Sequence, residues 1–544
     1  MKQPKPITRK YSELIENVDK GNYQIPKFQR NFVWNIEKVS LLMDSIIKGY
    51  PIGTFILWKT KERLKSLKKI GNRELFMQIE GDYVFYVLDG QQRITSLFLC
   101  INGVDDFKNI YLDLENIKLL EDGKSKQLKF VDITKSLCST EPIEGKSILI
   151  HDALHKSSVD LLDQFDRDTL AKIEIIKNIF SNYEFSTIEI ESLPLNQIVD
   201  VFTRINTSGQ QLTLFEIMNA KVYDEDSHFD LEEKYLELYE ELKNADFETT
   251  IDNPVVLLQL VSAIINKDSK RDAILSIKKE TFIEIWEDAT ESLKKAIDKV
   301  RQYLFIPVSN LVPFNALIIC IAYFYYINDK IDPDHGQLEN IKKYFYRSAF
   351  SFRYSKSADS TINSDLSLMK KIKENEEIDF DKAIVVEEHF KNEEKLAELL
   401  IKTDFSTSNS FCKAILCLYA SKSPLNFKDN SRVIIDNSWL SRSNSKNYHH
   451  FFPKGFLEKI QNTESLNSIV NIVFIDDNIN KNEIRAKSPN DYIRKYEREN
   501  PQLPNSLKTH YIENLEQSGI FENDYQTFLK KRALSIANEI SRLI

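Results

Sequence analysis

The 544-residue chain is poor in several residue types, and each scarcity excludes something. Its five cysteines, Cys100, Cys138, Cys320, Cys412 and Cys417, form no CxxC pair. A disulfide framework and a four-cysteine zinc site are therefore excluded, and a reducing, cytoplasmic setting is expected. Glycine (13) and proline (15) are few, which argues against long flexible linkers and collagen-like or disordered character. The N-terminal stretch MKQPKPITRKYSELIENVDKG is charged and lacks the apolar core of a signal peptide. One stretch, 311–329, could be mistaken for a membrane span. Its apolar part runs unbroken only from Ala316 to Ile327, about 12 residues where a span needs about 20. It reads as a buried core helix, and no membrane partner is expected.

What is present describes an ordinary globular protein, 42% hydrophobic and 28% charged. At roughly 150 residues per domain the length holds two to four domains. The net charge of −9 argues against a protein that coats DNA generally, but the charge is uneven. Residues 1–100 sum to +7 and residues 431–544 to +2, leaving −18 between them. Either end can face an anion; the middle reads as solvated acidic helices.

Three regions follow. Residues 1–228 mix strand and helix signals. Asn35 reads as the N-cap of a helix IEKVSLLMDSIIKG ending at Gly49, with Ile36, Val39, Leu42, Met43, Ile46 and Ile47 on one face. FILW (55–58) and YVFYVL (83–88) read as strands, and ITSLFLCING (94–103) as a helix closed by Gly103. Residues 229–430 read as all-helical, with Asn253 and Pro254 opening one helix. Residues 431–544 are mixed, with a strand-like SIVNIVFID among short helices.

In the first region strand YVFYVL runs straight into Asp89-Gly90-Gln91-Gln92-Arg93, and a helix follows. Unpaired N–H groups and the helix dipole at such a place suit a phosphate. Gly90 lets the backbone turn closely. Arg93 can grip phosphate oxygens, Gln91 and Gln92 can place a water or a base edge, and Asp89 can hold a metal or orient a nucleophile. A plainer reading competes: Asp89 caps the helix and Arg93 pairs with a neighbouring acid. Two further clusters weigh against it. IPKFQRNFVW (25–34) sets Gln29 and Arg30 among aromatics, and VFTRINTSGQQL (201–212) sets Arg204, Asn206, Thr207, Ser208 and Gly209 in a polar turn.

These segments, with PIGTFILW (51–58), resemble the N-terminal domain of GmrSD-type restriction proteins. The resemblance implies a ParB/sulfiredoxin-like fold that binds and hydrolyses a nucleoside triphosphate, GTP or ATP. It implies catalytic roles for Asp89, Gln91, Gln92 and Arg93, with Gln29, Arg30, Gly90, Arg204 and Asn206 holding the nucleotide. Ser208 stands where that family has glycine, and Gly209 follows it.

The third region holds adjacent histidines, His449 and His450, among only eight in the chain. Asn471 and Asn480 follow in order. The arrangement resembles the HNH nuclease motif, a ββα-metal fold, and the pieces around it resemble the nuclease domain fused to GmrSD-type domains in bacterial defence proteins. Phosphodiester hydrolysis needs an activated water, a Lewis acid and a stabilised leaving oxygen. The resemblance assigns His450 as general base, His449 and Asn480 as ligands of Mg²⁺, and Asn471 as the residue that fixes the loop. Many such sites have aspartate where His449 stands, so Mn²⁺ or Ni²⁺ is expected to serve as well or better. Asn478 and Asn482 flank Asn480, and the spacing to Asn471 favours Asn480.

The expected protein is thus an α+β multidomain chain: a ParB/sulfiredoxin-like domain (1–228), an all-α middle (229–430) and an HNH domain (431–544). The expected function is a nucleotide-regulated, modification-dependent endonuclease acting on double-stranded DNA in anti-phage defence. The alternative is an NTP-dependent DNA-binding switch with a silent nuclease site; a nucleotidyltransferase or kinase-like toxin is a poorer third. A homo-oligomer is compatible with the sequence, which does not fix the oligomeric state.

Overall fold

The computed structural model describes residues 4–29, 32–76, 81–122, 125–142, 146–191, 193–205, 213–355, 358–437, 448–462, 465–476 and 479–544. The chain is mixed α/β and about 53% helical. It divides into two compact units, Met1–Asp230 and Leu231–Ile544.

The first unit is built on a five-stranded sheet. Its strands are β1 (Lys5–Lys10), β2 (Tyr23–Gln24), β3 (Phe55–Thr60), β4 (Val84–Asp89) and β5 (Glu184–Glu191), in the spatial order β1-β5-β3-β4-β2. The β5–β3 and β4–β2 pairs are parallel; β1–β5 and β3–β4 are antiparallel. Alternation sorts the side chains. Phe55, Leu57, Val87 and Phe185 enter a core with Leu14, Val39, Met43, Leu97, Phe98 and Phe180 from the helices. Trp58 and Tyr86 are also buried, their rings 5.7 Å apart, with the indole donating to the Leu193 carbonyl (3.2 Å) and the Tyr86 hydroxyl accepting from the Leu64 N–H (2.7 Å). Helix α1 (Ile36–Ile47) begins where expected: the Asn35 side chain accepts from the Lys38 N–H at 3.1 Å. Helix α2 (Gln91–Ile101) follows β4 after a single residue, Gly90, and α3 (Leu195–Ile205) follows β5.

In the second unit the described residues from Leu231 to Asn430 form helices and isolated bridges. Helices α4 (Val255–Asn266), α5 (Lys279–Tyr303) and α6 (Asn315–Ile327) pack on one another. The apolar α6 is buried from Ala316 to Tyr325. Among the described residues no helix is long and apolar enough to cross a membrane.

From Leu231 onward the two regions read apart in the sequence, 229–430 and 431–544, share this one compact unit. The reason is hydrogen bonding between them. The Phe405 N–H donates to the Asn467 carbonyl (2.7 Å) and the Ile469 N–H to the Thr403 carbonyl (2.8 Å). Tyr419, on helix α7 (Ser410–Ser421), donates to the Ile469 carbonyl at 3.2 Å. The C-terminal piece adds two short strands, β6 (Tyr448–His450) and β7 (Ile472–Phe474), paired antiparallel, and ends in a 19-residue helix α8 (Tyr525–Leu543). The sequence reading foresaw short helices there. Instead α8 is long, and its Tyr525, Phe528, Leu529, Arg532 and Ala533 are buried.

His510 lies against this helix, its Nε2–H donating to the Leu425 carbonyl at 2.9 Å and its backbone carbonyl accepting from Arg532. Burial pushes the His510 pKa down from its ordinary 6.5 to about 3. The unfolded chain therefore takes up a proton near pH 6.5 that the folded chain refuses. Stability is full above that pH and falls as the pH drops toward 3, by up to about 1.4 kcal/mol per pH unit. His510→Gln, which keeps a donor for Leu425, is expected to flatten the decline between pH 6.5 and 4.5 by about one proton. Thermal melting of the full chain across that window checks this; an unchanged slope would show that the buried imidazole is not the source.

Candidate functional site

At one edge of the first unit's sheet the topology gathers three of the sequence clusters. β2 and β4 run parallel, so their C-terminal ends lie together, and the antiparallel β3 begins there, with Ile56 opposite Asp89. IPKFQ (25–29) leaves β2, DGQQR leaves β4 and PIGT enters β3 at this edge. Side chains tie them. Gln29 donates through Nε2 to the Val87 carbonyl, and the Val33 N–H donates to Gln92 Oε1 at 2.9 Å. Phe28 packs edge-on against Phe202 of α3, centroids 5.8 Å apart, which brings α3 alongside.

Gly90 has φ +92°, and a Cβ there would stand 2.5 Å from the Phe55 ring. The position needs glycine on both counts. It occupies the N-cap of α2, the position the plainer reading gave to Asp89, which stands one residue earlier. Asp89 is half-exposed and accepts from Arg93 Nη2 at 3.1 Å. Arg93 also donates through Nη1 to the Ile52 carbonyl (2.7 Å) and through Nη2 to the Thr54 carbonyl (3.0 Å), and lies over the Phe55 ring at 5.1 Å. The pairing half of the plainer reading is thus present: the guanidinium ties the helix start to the 52–54 turn. Gln91 and Gln92 are buried. Arg204 is exposed at the end of α3; Arg30, Asn206, Thr207, Ser208 and Gly209 lie outside the described residues.

The second site is the β6–β7 pair, with His449 opposite Val473 and His450 opposite Ile472. Successive strand residues face opposite ways. His449 is buried and His450 is partly exposed. Asn471 sits in a turn, Ile469–Asn471, just before β7 rather than in the strand. Its side chain is fully buried; Oδ1 accepts from the Phe452 N–H (2.8 Å) and Nδ2 donates to the Phe452 carbonyl (3.0 Å). It thereby holds the backbone two residues past His450. Tyr492 donates to the Phe451 carbonyl at 2.6 Å, and Phe528 stacks on Phe451 at 4.8 Å. His450 Nε2 lies 3.1 Å from Asn467 Oδ1. Burial pulls the His450 pKa from 6.5 to about 4, with Lys454 adding to the drop and the Asn467 contact opposing it. The ring is thus neutral at neutral pH, the state a general base requires.

The backbone of Asn480 lies in a helical segment, Ile479–Ile484; its side chain and all of Asn478 are outside the described residues, and Asn482 is exposed. Three contributors escaped the sequence reading. Asn467 was passed over although it stands four residues before Asn471. Arg532 donates to the Val470 carbonyl from a position more than 60 residues downstream, and Phe405 reaches Asn467 from as far upstream. For these last two no local pattern exists.

Comparison with known proteins bears on the first unit. Residues 11–223 match the family described as GmrSD restriction endonuclease, N-terminal domain. The matched segment contains every element of the sheet edge from IPKFQR to the end of α3. An uncharacterized protein of Methanocaldococcus jannaschii is 26% identical over 527 residues, covering 90% of this chain and 86% of its own length.

Gly53 offers a test of the Arg93 anchor. It has φ +88°, and a Cβ would stand 2.3 Å from Arg93 Nη1. Gly53→Ala is expected to break the Ile52 bond and cost about 1–3 kcal/mol. Urea unfolding of the full chain measures it; a cost near zero would mean the guanidinium is not pinned.

Proposed function

We propose that the chain is a nucleotide-regulated, modification-dependent endonuclease of anti-phage defence, with an NTP site at the first unit's sheet edge and an HNH-type nuclease site at β6–β7. The match of residues 11–223 to a restriction endonuclease domain supports the class. The observation that carries the nuclease assignment is the β6–β7 pair itself: a partly exposed His450 next to a buried His449, on a loop braced by the amide of Asn471. A ParB/sulfiredoxin-like first unit and a ββα-metal second site are the folds this reading entails. Double-stranded DNA is the substrate.

In this reading His450 takes a proton from the attacking water, and Asn471 keeps it in place. A divalent ion would polarise the scissile phosphate and steady the leaving oxygen. Among the described residues no group of three His, Cys, Asp or Glu could hold a metal. In this reading His449 and Asn480 would hold the ion. One imidazole and one amide oxygen fit Mn²⁺ or Ni²⁺ better than Mg²⁺. At the other site, Asp89, Gln91, Gln92 and Arg93 act on the triphosphate over the start of α2, with Gln29, Arg30, Gly90, Arg204 and Asn206 holding it. Because Arg93 is already bound to two backbone carbonyls, its part is to fix the phosphate loop as much as to meet the phosphate. The second reading, a DNA-binding switch with a silent nuclease, draws on the bare ligand set of the metal site.

Separable sites give the decisive experiment. His450→Ala is expected to lower metal-dependent plasmid nicking by about 10²–10⁴-fold and to leave NTP turnover intact; Asp89→Ala should do the reverse to turnover. Nicking at the wild-type rate by His450→Ala would remove the nuclease assignment. Unchanged turnover in folded Asp89→Ala would remove the nucleotide site.

Lys454 lies close enough to His450 to act on its charge, and its neighbour Gly455 approaches Ala486, which stands between Arg485 and Lys487; all three cations are exposed. In the reading proposed here they contact DNA phosphates. Lys454→Gln and Lys487→Gln are each expected to lower the slope of log K against log salt by about 1. Anisotropy titrations of a labelled duplex, in a His450→Ala background, read it; unaltered slopes would place the DNA elsewhere.

A further inference from the structure

The strap formed by Thr403–Phe405 runs beside the β6–β7 site and is bound to the residues that precede β7. The Phe405 N–H donates to the Asn467 carbonyl (2.7 Å), and Asn467 Nδ2 donates back to the Phe405 carbonyl (3.0 Å). The Ile469 N–H donates to the Thr403 carbonyl (2.8 Å), and the Phe405 ring packs on Tyr448, two residues before His450, at 4.9 Å. Asn467 is therefore held at both its backbone and its side chain.

This settles which way its amide faces. A carbonyl oxygen accepts and never donates, so the nitrogen end of the amide must point at Phe405. The oxygen end then points at His450, where Oδ1 lies 3.1 Å from Nε2. Oδ1 carries no hydrogen, so that contact is a hydrogen bond only when Nε2 is protonated. A neutral imidazole carries one proton, which leaves the lone pair on Nδ1.

We propose that Asn467 is a positioning residue that selects the tautomer of His450, holding the proton on Nε2 and presenting Nδ1 as the basic nitrogen. The role plays the part that a carboxylate or carbonyl plays beside many functional histidines, here taken by an amide whose direction is set by a strap more than 60 residues upstream. The catalytic consequence rests on the nuclease reading given above; the tautomer does not. In that reaction Nδ1 takes the proton of the attacking water while the Nε2–H stays on Asn467, and no other bond to the ring changes.

The test uses the full chain and three variants. Asn467→Leu removes both hydrogen bonds at similar size; Asn467→Asp keeps an acceptor toward Nε2; His450→Ala assigns the resonance among the eight histidines. With ¹⁵N-labelled histidine, wild-type His450 is expected to show a protonated Nε2 and an unprotonated Nδ1, and Asn467→Leu a mixture. In plasmid nicking, Asn467→Leu is expected to lose about 10–100-fold in kcat with KM for DNA unchanged, and Asn467→Asp to recover most of that loss. A wild-type ring protonated on Nδ1, or a tautomer unmoved by Asn467→Leu, overturns the proposal. So does a folded Asn467→Asp as inactive as Asn467→Leu. If the wild type cleaves no DNA yet its Nε2–H tautomer is scrambled by Asn467→Leu, the nuclease reading fails and the role of Asn467 stands.

Discussion

Three consecutive buried carbonyls, those of Ile469, Val470 and Asn471, must each find a donor, and each takes it from a different part of the second unit. Tyr419 on α7 supplies the first, Arg532 on α8 the second and the Phe451 N–H the third. An unpaired buried carbonyl costs roughly 1–3 kcal/mol; the Ile469 carbonyl also accepts from the Ile472 N–H, so the turn leans most on Arg532 and the Phe451 N–H. Everything proposed for the β6–β7 site hangs from that turn. Asn471 ends it and braces Phe452; Asn467 lies just before it and faces His450. Arg532 is buried with carbonyls and the Tyr419 ring, 4.8 Å away, around its charge. The helices before residue 430 are therefore part of the site's support, which is why the unit does not divide there.

The first unit solves a similar problem with a cation. The turn before β3 exposes the carbonyls of Ile52 and Thr54 at the edge where β2 and β4 end. Arg93 satisfies both from the first turn of α2 and keeps Asp89 within reach. Two glycines, Gly53 and Gly90, leave room for the guanidinium and for Phe55. The guanidinium and the Gln29 amide thus tie the ends of β2, β3 and β4 together.

Much of this was legible in the chain. The helix opened by Asn35, the strands FILW and YVFYVL and the buried α6 follow from caps, alternation and apolar continuity, all local signals. The candidate residues Asp89, Gly90, Gln91, Gln92 and Arg93 stood out as polar groups at a strand's end, and His449–His450 as an adjacent pair among only eight histidines. What was not legible depends on partners far away in sequence. Arg93 could be read as a phosphate ligand because nothing local shows that the carbonyls of residues 52 and 54 reach it. Asn467 carried no sign that Phe405 would fix its amide.

By itself the sequence determined which segments are helix or strand, where the polar clusters fall, and that neither a disulfide framework nor a long apolar span is part of the design. Those properties arise from neighbours within a few residues, and spacing records them. The tertiary structure alone decided that IPKFQ, PIGT and DGQQR share one edge, that residues 231–430 and 431–544 form one unit, and which way the Asn467 amide points. Strand order and the pairing of buried backbone groups bring together residues tens to hundreds of positions apart, and hydrogen-bond direction is a property of the assembled pair, not of either residue.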